Sequence, residues 1–157
     1  MDIGQTVREQ PFFHGMSEPY LDFIAGCAHE VLFDANASIL RENAPADYFY
    51  LLLTGNVVLT VHLPHRGAMP LETIGPGEAL GWSWLAPPYR WHFDAHALEP
   101  TRAIAFDARC LRQKMTEDKE LGYELMNRFV AVISQRLHAA RLQVLDLYGP
   151  PGRETGA

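Results

Sequence analysis

The residues best suited to chemistry in this chain crowd into one stretch, Ile74-Gly75-Pro76-Gly77-Glu78-Ala79-Leu80-Gly81-Trp82-Ser83-Trp84-Leu85, which runs on to Arg90. Its glycines permit backbone angles closed to other residues, and the pattern reads as a bend leading into one short helical turn. The first N–H groups of a helical turn lack internal partners, so such a bend is expected to cradle an anionic group such as a phosphate. Ser83 can donate to a phosphate oxygen or cap the turn. The fork of Arg90 can grip the same anion through two parallel hydrogen bonds. Gly77 and Glu78 shape the loop, with Glu78 orienting its backbone, while Trp82 and Trp84 serve either as lids over a core or as platforms for a ligand.

A second set competes with the first. His92, Asp94 and His96 alternate along an expected strand and so project from one face. Two imidazoles and a carboxylate can bind a metal, which gives a cupin-like, metal-dependent enzyme as one reading; the same alternation also describes the wet side of an antiparallel sheet. His62 and His65 flank Pro64, a turn residue. Nucleophilic catalysis finds little support: Ser17, Ser38, Ser83 and Ser134 lie in no strand-to-helix glycine elbow, and neither Cys27 nor Cys110 has an evident neighbouring base. Two cysteines so far apart fit no disulfide framework or multi-cysteine zinc motif. Both are expected as buried, inert thiols, and no histidine or cysteine stands out as a haem ligand.

The elements that must position these groups follow from periodicity. Residues 1–30 read as short helices, one near 11–17 and one over 18–30, the second started by Ser17 and Pro19 and carrying Leu21, Phe23, Ile24, Cys27 and Ala28 on its apolar side. Residues 31–106 break into short apolar runs, 31–33, 38–41, 48–53, 57–62, 71–74, 92–98 and 101–106, with a turn over 64–70. Strands at this spacing indicate a closed or rolled antiparallel sheet, and the lack of βαβ alternation argues against a doubly wound nucleotide fold. A short helix over 107–112 then leads to one long helix over 119–148. In that helix Met126, Val130, Ile133, Leu137, Ala140, Val144 and Leu147 recur at alternating spacings of four and three, a heptad seam that predicts a homodimer. Leu121, Leu125 and Phe129 form a second stripe for the contact with the chain's own body. Residues 149–157 are expected to be a flexible tail.

Composition narrows the function. At 157 residues the chain is read as a single domain, able to bury about two thirds of its unfolded surface without a disulfide staple. The start lacks the apolar core of a signal peptide, and no run approaches the roughly twenty apolar residues of a membrane span, so a soluble, cytoplasmic protein is expected. A formal charge of −6 disfavours direct nucleic-acid binding and requires any anionic ligand to be held by local groups against the overall field.

The run from Phe33 through Asn36, Asn43, Tyr48 and Gly55 to Val57 resembles the strands that open cyclic-nucleotide-binding domains, including those of catabolite-activator-type regulators, and the stretch over 75–91 resembles their phosphate-binding cassette. That family usually carries glycine where this chain has Asn36 and Asn43, and asparagine is the residue after glycine that best tolerates a left-handed turn. The resemblance implies a mainly β fold with flanking helices, an antiparallel β-roll or jelly roll followed by a long C-terminal helix. With no second helical pair read after the long helix, a stand-alone sensor without a DNA-reading helix pair is expected, and no enzymatic activity. The ligand-binding residues that the resemblance assigns are Gly77, Glu78, Gly81, Trp82, Ser83, Trp84 and Arg90, for a cyclic nucleotide or another small anion, with no catalytic residue, metal or cofactor. Two family side chains differ. Trp82 stands where the family places a glutamate for the ribose hydroxyl, and an indole only donates. The arginine position falls on Trp91, with Arg90 one residue early and able to reach the phosphate if the Pro87-Pro88 turn shortens the loop. A dimeric protein-interaction module that has lost nucleotide binding is the alternative.

Overall fold

The structure, a computed structural model, describes residues 2–148. The chain runs α1 (Ile3–Glu9), a 3₁₀ turn (Pro11–Phe13), α2 (Glu18–Gly26), β1 (Ala28–Phe33), β2 (Ser38–Leu40), β3 (Tyr48–Thr54), β4 (Val57–Leu63), β5 (Gly67–Ile74), β6 (Ala79–Leu80), a 3₁₀ turn (Ser83–Leu85), β7 (Asp94–Ala97), β8 (Thr101–Asp107), α3 (Ala108–Glu117) and α4 (Lys119–Tyr148). Two four-stranded antiparallel sheets, ordered β1-β8-β3-β6 and β2-β7-β4-β5, form the roll. The left-handed turns expected at Asn36 and Asn43 are present, with φ of 69° and 68°. Asp107 starts α3 by accepting from the Arg109 and Cys110 amides, and Asp118 does the same for α4 through the Leu121 amide.

Aromatic packing joins the roll to its helices. Phe49 of β3 stacks on Phe106 at 4.5 Å and on Trp84 at 5.1 Å, while Phe129 of α4 meets both Phe49 and Trp84 edge-on. Leu121, Leu125 and Phe129 are all buried, so this stripe of α4 holds the helix to its own chain. Met126, Val130 and Leu137 of the heptad seam stay exposed at 42%, 54% and 51%. The side chains of Val144 and Leu147, and the tail at 149–157, lie outside the described residues. Among the described residues no helix is long and apolar enough to cross a membrane.

The elements depart from expectation in several places. Helix α1 carries only seven residues and a weak apolar pattern, and it forms because Asp2 caps it and Val7 is buried. β1 begins at Ala28, since its pairing with β8 continues to Ala28 opposite Phe106. β5 reaches back to Gly67 despite Pro70, which is tolerated because β5 is an edge strand with a register shift at this point. The cysteines are the clearest correction: Cys27 and Cys110 form a disulfide rather than two inert thiols. Cys27 follows α2 and accepts the Asp107 amide on its carbonyl, Cys110 lies in the first turn of α3, and the β1–β8 ladder brings their Cα atoms to 6.0 Å across 83 residues.

Candidate ligand-binding site

The bend is tied to β3 from both sides: Gly77 donates to the Leu52 carbonyl, and the Leu52 amide donates to the Glu78 carbonyl. Glu78 accepts the Gly75 amide on its carboxylate at 3.0 Å, the orienting role expected for it. β6 then pairs with Tyr50 and Leu51 and carries the chain to Gly81. Gly81 has φ of +93°, and a Cβ there would fall 2.6 Å from two atoms of the Trp91 ring. Glycine is therefore required at Gly81 for two separate reasons.

The ligand residues expected from the sequence do not gather around an open cradle. Gly81 and Ser83 are buried, and Trp91 is 4% exposed, its amide donating to the Ala44 carbonyl and its carbonyl accepting from Asn43. The indole of Trp91 thus covers Gly81. Trp84 is fully buried in the aromatic core, a lid rather than a platform, and among the described residues neither its Nε1 nor the Ser83 hydroxyl has a hydrogen-bond partner. Arg90 is exposed and donates to the Asn43 carbonyl at 2.7 Å. Gly77 is exposed with open space at its Cα. Trp82 alone among the three tryptophans is half-buried, facing Phe93 at 6.1 Å.

A different arginine occupies this region. Arg136 of α4 donates to the Ala79 carbonyl, places its Nε 3.1 Å from Glu72, and sits 5.1 Å over the Trp82 ring. Its side chain is 11% exposed, and among the described residues its Nη1 has no hydrogen-bond partner. Burial pushes the Glu72 carboxyl above its usual range, against the pull of Arg136, and burial likewise lowers the Arg136 guanidinium.

Arg136 and Glu72 form a wall between two cavities. One, of about 340 Å³, is a mostly apolar cleft lined by Leu59, Leu71, Trp82, Phe93, Ile133 and Leu137. The other, of about 320 Å³, lies toward Gly77 and Glu78. The cleft depends on a β-bulge. Leu59 pairs with Glu72 and Thr60 with Pro70, so Leu71 is the extra residue, and Leu71 and Glu72 both line the cleft instead of alternating across the sheet. Sequence reasoning missed Glu72, Phe93 and Arg136. One signal was available: Leu125, Phe129, Val132 and Arg136 continue the buried stripe of α4 at spacings of four, three and four, which carries a charged residue onto the face that meets the roll.

The histidine set is only partly assembled. Asp94 lies 3.4 Å from His62 and accepts the Glu42 amide, His92 is exposed, and among the described residues no group of three histidine, cysteine or acidic side chains could hold a metal ion.

The family model described as cyclic nucleotide-binding domain matches residues 30–118. A protein of Geobacter metallireducens GS-15, described as a candidate cyclic nucleotide-binding protein, is 30% identical in sequence with a TM-score of 0.79, over 88% of this chain and 100% of that one. The catabolite activator protein of Thermus thermophilus shares the fold at 23% identity and a TM-score of 0.69, over 87% of this chain and 62% of that one. The CRP-like cAMP-activated global transcriptional regulator of Mycobacterium tuberculosis is 21% identical over 153 residues, 96% of this chain and 66% of the regulator's own length.

Proposed function

The chain belongs to the cyclic nucleotide-binding domain family, and we propose that it works as a signal-reading module whose small-molecule site is the apolar cleft under α4 rather than the cradle of the bend. The observation that carries this reading is the Trp91 ring packed over a buried Gly81, with Arg90 engaged by Asn43. A cyclic phosphate needs amide hydrogens and a cation facing it, and its ribose needs an acceptor that Trp82 lacks. Gly77, Glu78, Gly81, Ser83, Trp84 and Arg90 accordingly shape the bend, and Trp82 alone of the expected set lines the cleft.

Such a module acts through α4. Ile133, Leu137 and Ala140 line the cleft and also belong to the heptad seam, so a ligand there touches the residues that meet a second copy. Its influence on the helix equals the difference in its affinity for the two placements of α4. Exposed Met126, Val130 and Leu137 support a homodimer along this helix. Titration of the purified chain with cyclic AMP and cyclic GMP by calorimetry is expected to give no saturable binding up to millimolar nucleotide. Saturation by either nucleotide at micromolar concentration refutes the reading.

A further inference from the structure

Resting on that reading, we infer that the cleft takes an uncharged amphiphile: a compact apolar body carrying a carbonyl or similar acceptor oxygen that meets Arg136. Size sets the first limit. At about 340 Å³ the cleft lies near the lower end of the roughly 300–1,000 Å³ of small-molecule sites, so it favours a compact ligand. The lining sets the second, because Leu59, Leu71, Phe93, Ile133 and Leu137 offer no polar group and Trp82 presents mainly its ring.

Polarity is set by the wall. The Nε of Arg136 faces Glu72 and its Nη2 is bonded to Ala79, while Nη1 is buried with no hydrogen-bond partner among the described residues. A buried donor of this kind is satisfied by one acceptor oxygen. Charge then separates a carbonyl from a carboxylate. The charged side chains lining the cleft and the adjoining cavity are Glu72, Glu78 and Arg136, together formally −1. Glu72 already neutralises the guanidinium, so a ligand carboxylate would be desolvated with no free cation among the described residues of the cleft to balance it, whereas a neutral carbonyl accepts from Nη1 without that penalty.

Octanamide and octanoate make a matched pair of probes, equal in heavy atoms and chain length and different in charge. The full chain, labelled with ¹⁵N, is titrated with each at neutral pH, and the Trp82 indole resonance, assigned with Trp82→Phe, reports on the cleft. Octanamide is expected to shift it saturably and to bind at least tenfold more tightly than octanoate; Glu72→Gln should narrow that gap. Octanoate binding as tightly as octanamide, or a gap unchanged in Glu72→Gln, overturns the charge selectivity and leaves the cleft as the ligand site. No shift of the Trp82 indole with either probe overturns both the ligand class and the cleft reading, as expected of a cleft filled by the helix of a second copy.

Discussion

Arg136→Met keeps most of the side chain's apolar length while removing the group that joins α4 to the bend. Three contacts are lost: the hydrogen bond to the Ala79 carbonyl, the 3.1 Å approach to Glu72, and the placement over Trp82. Breaking a fully buried pair from one side costs about 3–5 kcal/mol. Here the partners are 11% and 27% exposed, and the variant no longer desolvates a guanidinium, so a loss of about 2 kcal/mol is expected. In a chain of this size that corresponds to a melting temperature lower by roughly 4–8 °C. Glu72→Gln should cost about 1–2 kcal/mol by the same reasoning from the other side. The decisive quantity is the coupling. The double variant should be more stable than the sum of the single losses by about 1 kcal/mol or more, measured by urea unfolding at one fixed protein concentration because α4 is proposed to pair. Additivity within about 0.5 kcal/mol would show that the two side chains do not act together, and the coupling of Arg136 to Glu72 would be refuted. The pH dependence supplies a check of sign. Glu72 binds its proton more readily folded than unfolded, so its contribution to stability falls as pH rises from the ordinary glutamate value to the raised one. Glu72→Gln should lose that slope and leave the rest of the profile in place.

Gly81→Ala should cost about 3 kcal/mol, combining roughly 1–2 for a left-handed backbone with roughly 1–3 for displacing the Trp91 ring, whereas Gly77→Ala, with open space, should cost the backbone strain alone; thermal unfolding of both variants that gave equal losses would contradict the packed ring. Ile133→Glu combined with Leu137→Glu should convert a dimer to a monomer in sedimentation velocity, and unchanged sedimentation would remove the seam from consideration as an interface. The Cys27–Cys110 bond closes a loop across 83 residues, so its reduction should lower stability by about 2–4 kcal/mol, and thiol titration of the unreduced, denatured chain should find neither cysteine free.

Local rules were enough to read the roll and its punctuation. Alternating apolar residues gave the strands, Asn36 and Asn43 marked left-handed turns, and the two stripes of α4 set buried Leu121, Leu125 and Phe129 apart from exposed Met126, Val130 and Leu137, although Ile133 of the seam packs partly against the core. These features depend on periods of two and of 3.6 residues and on single-residue backbone preferences, which are written along the chain. The state of the bend was not legible in that way. Gly81 announces a cradle, and only the packing of Trp91 onto it, brought by the return of the chain to the Asn43 turn, decides that the cradle is covered. The disulfide, the bulge that turns Leu71 and Glu72 to the same cleft, and the reach of Arg136 to Ala79 have a common cause. Each joins segments distant in sequence or shifts a register by one residue, and pairing between sheets and helices, rather than any local pattern, sets those distances.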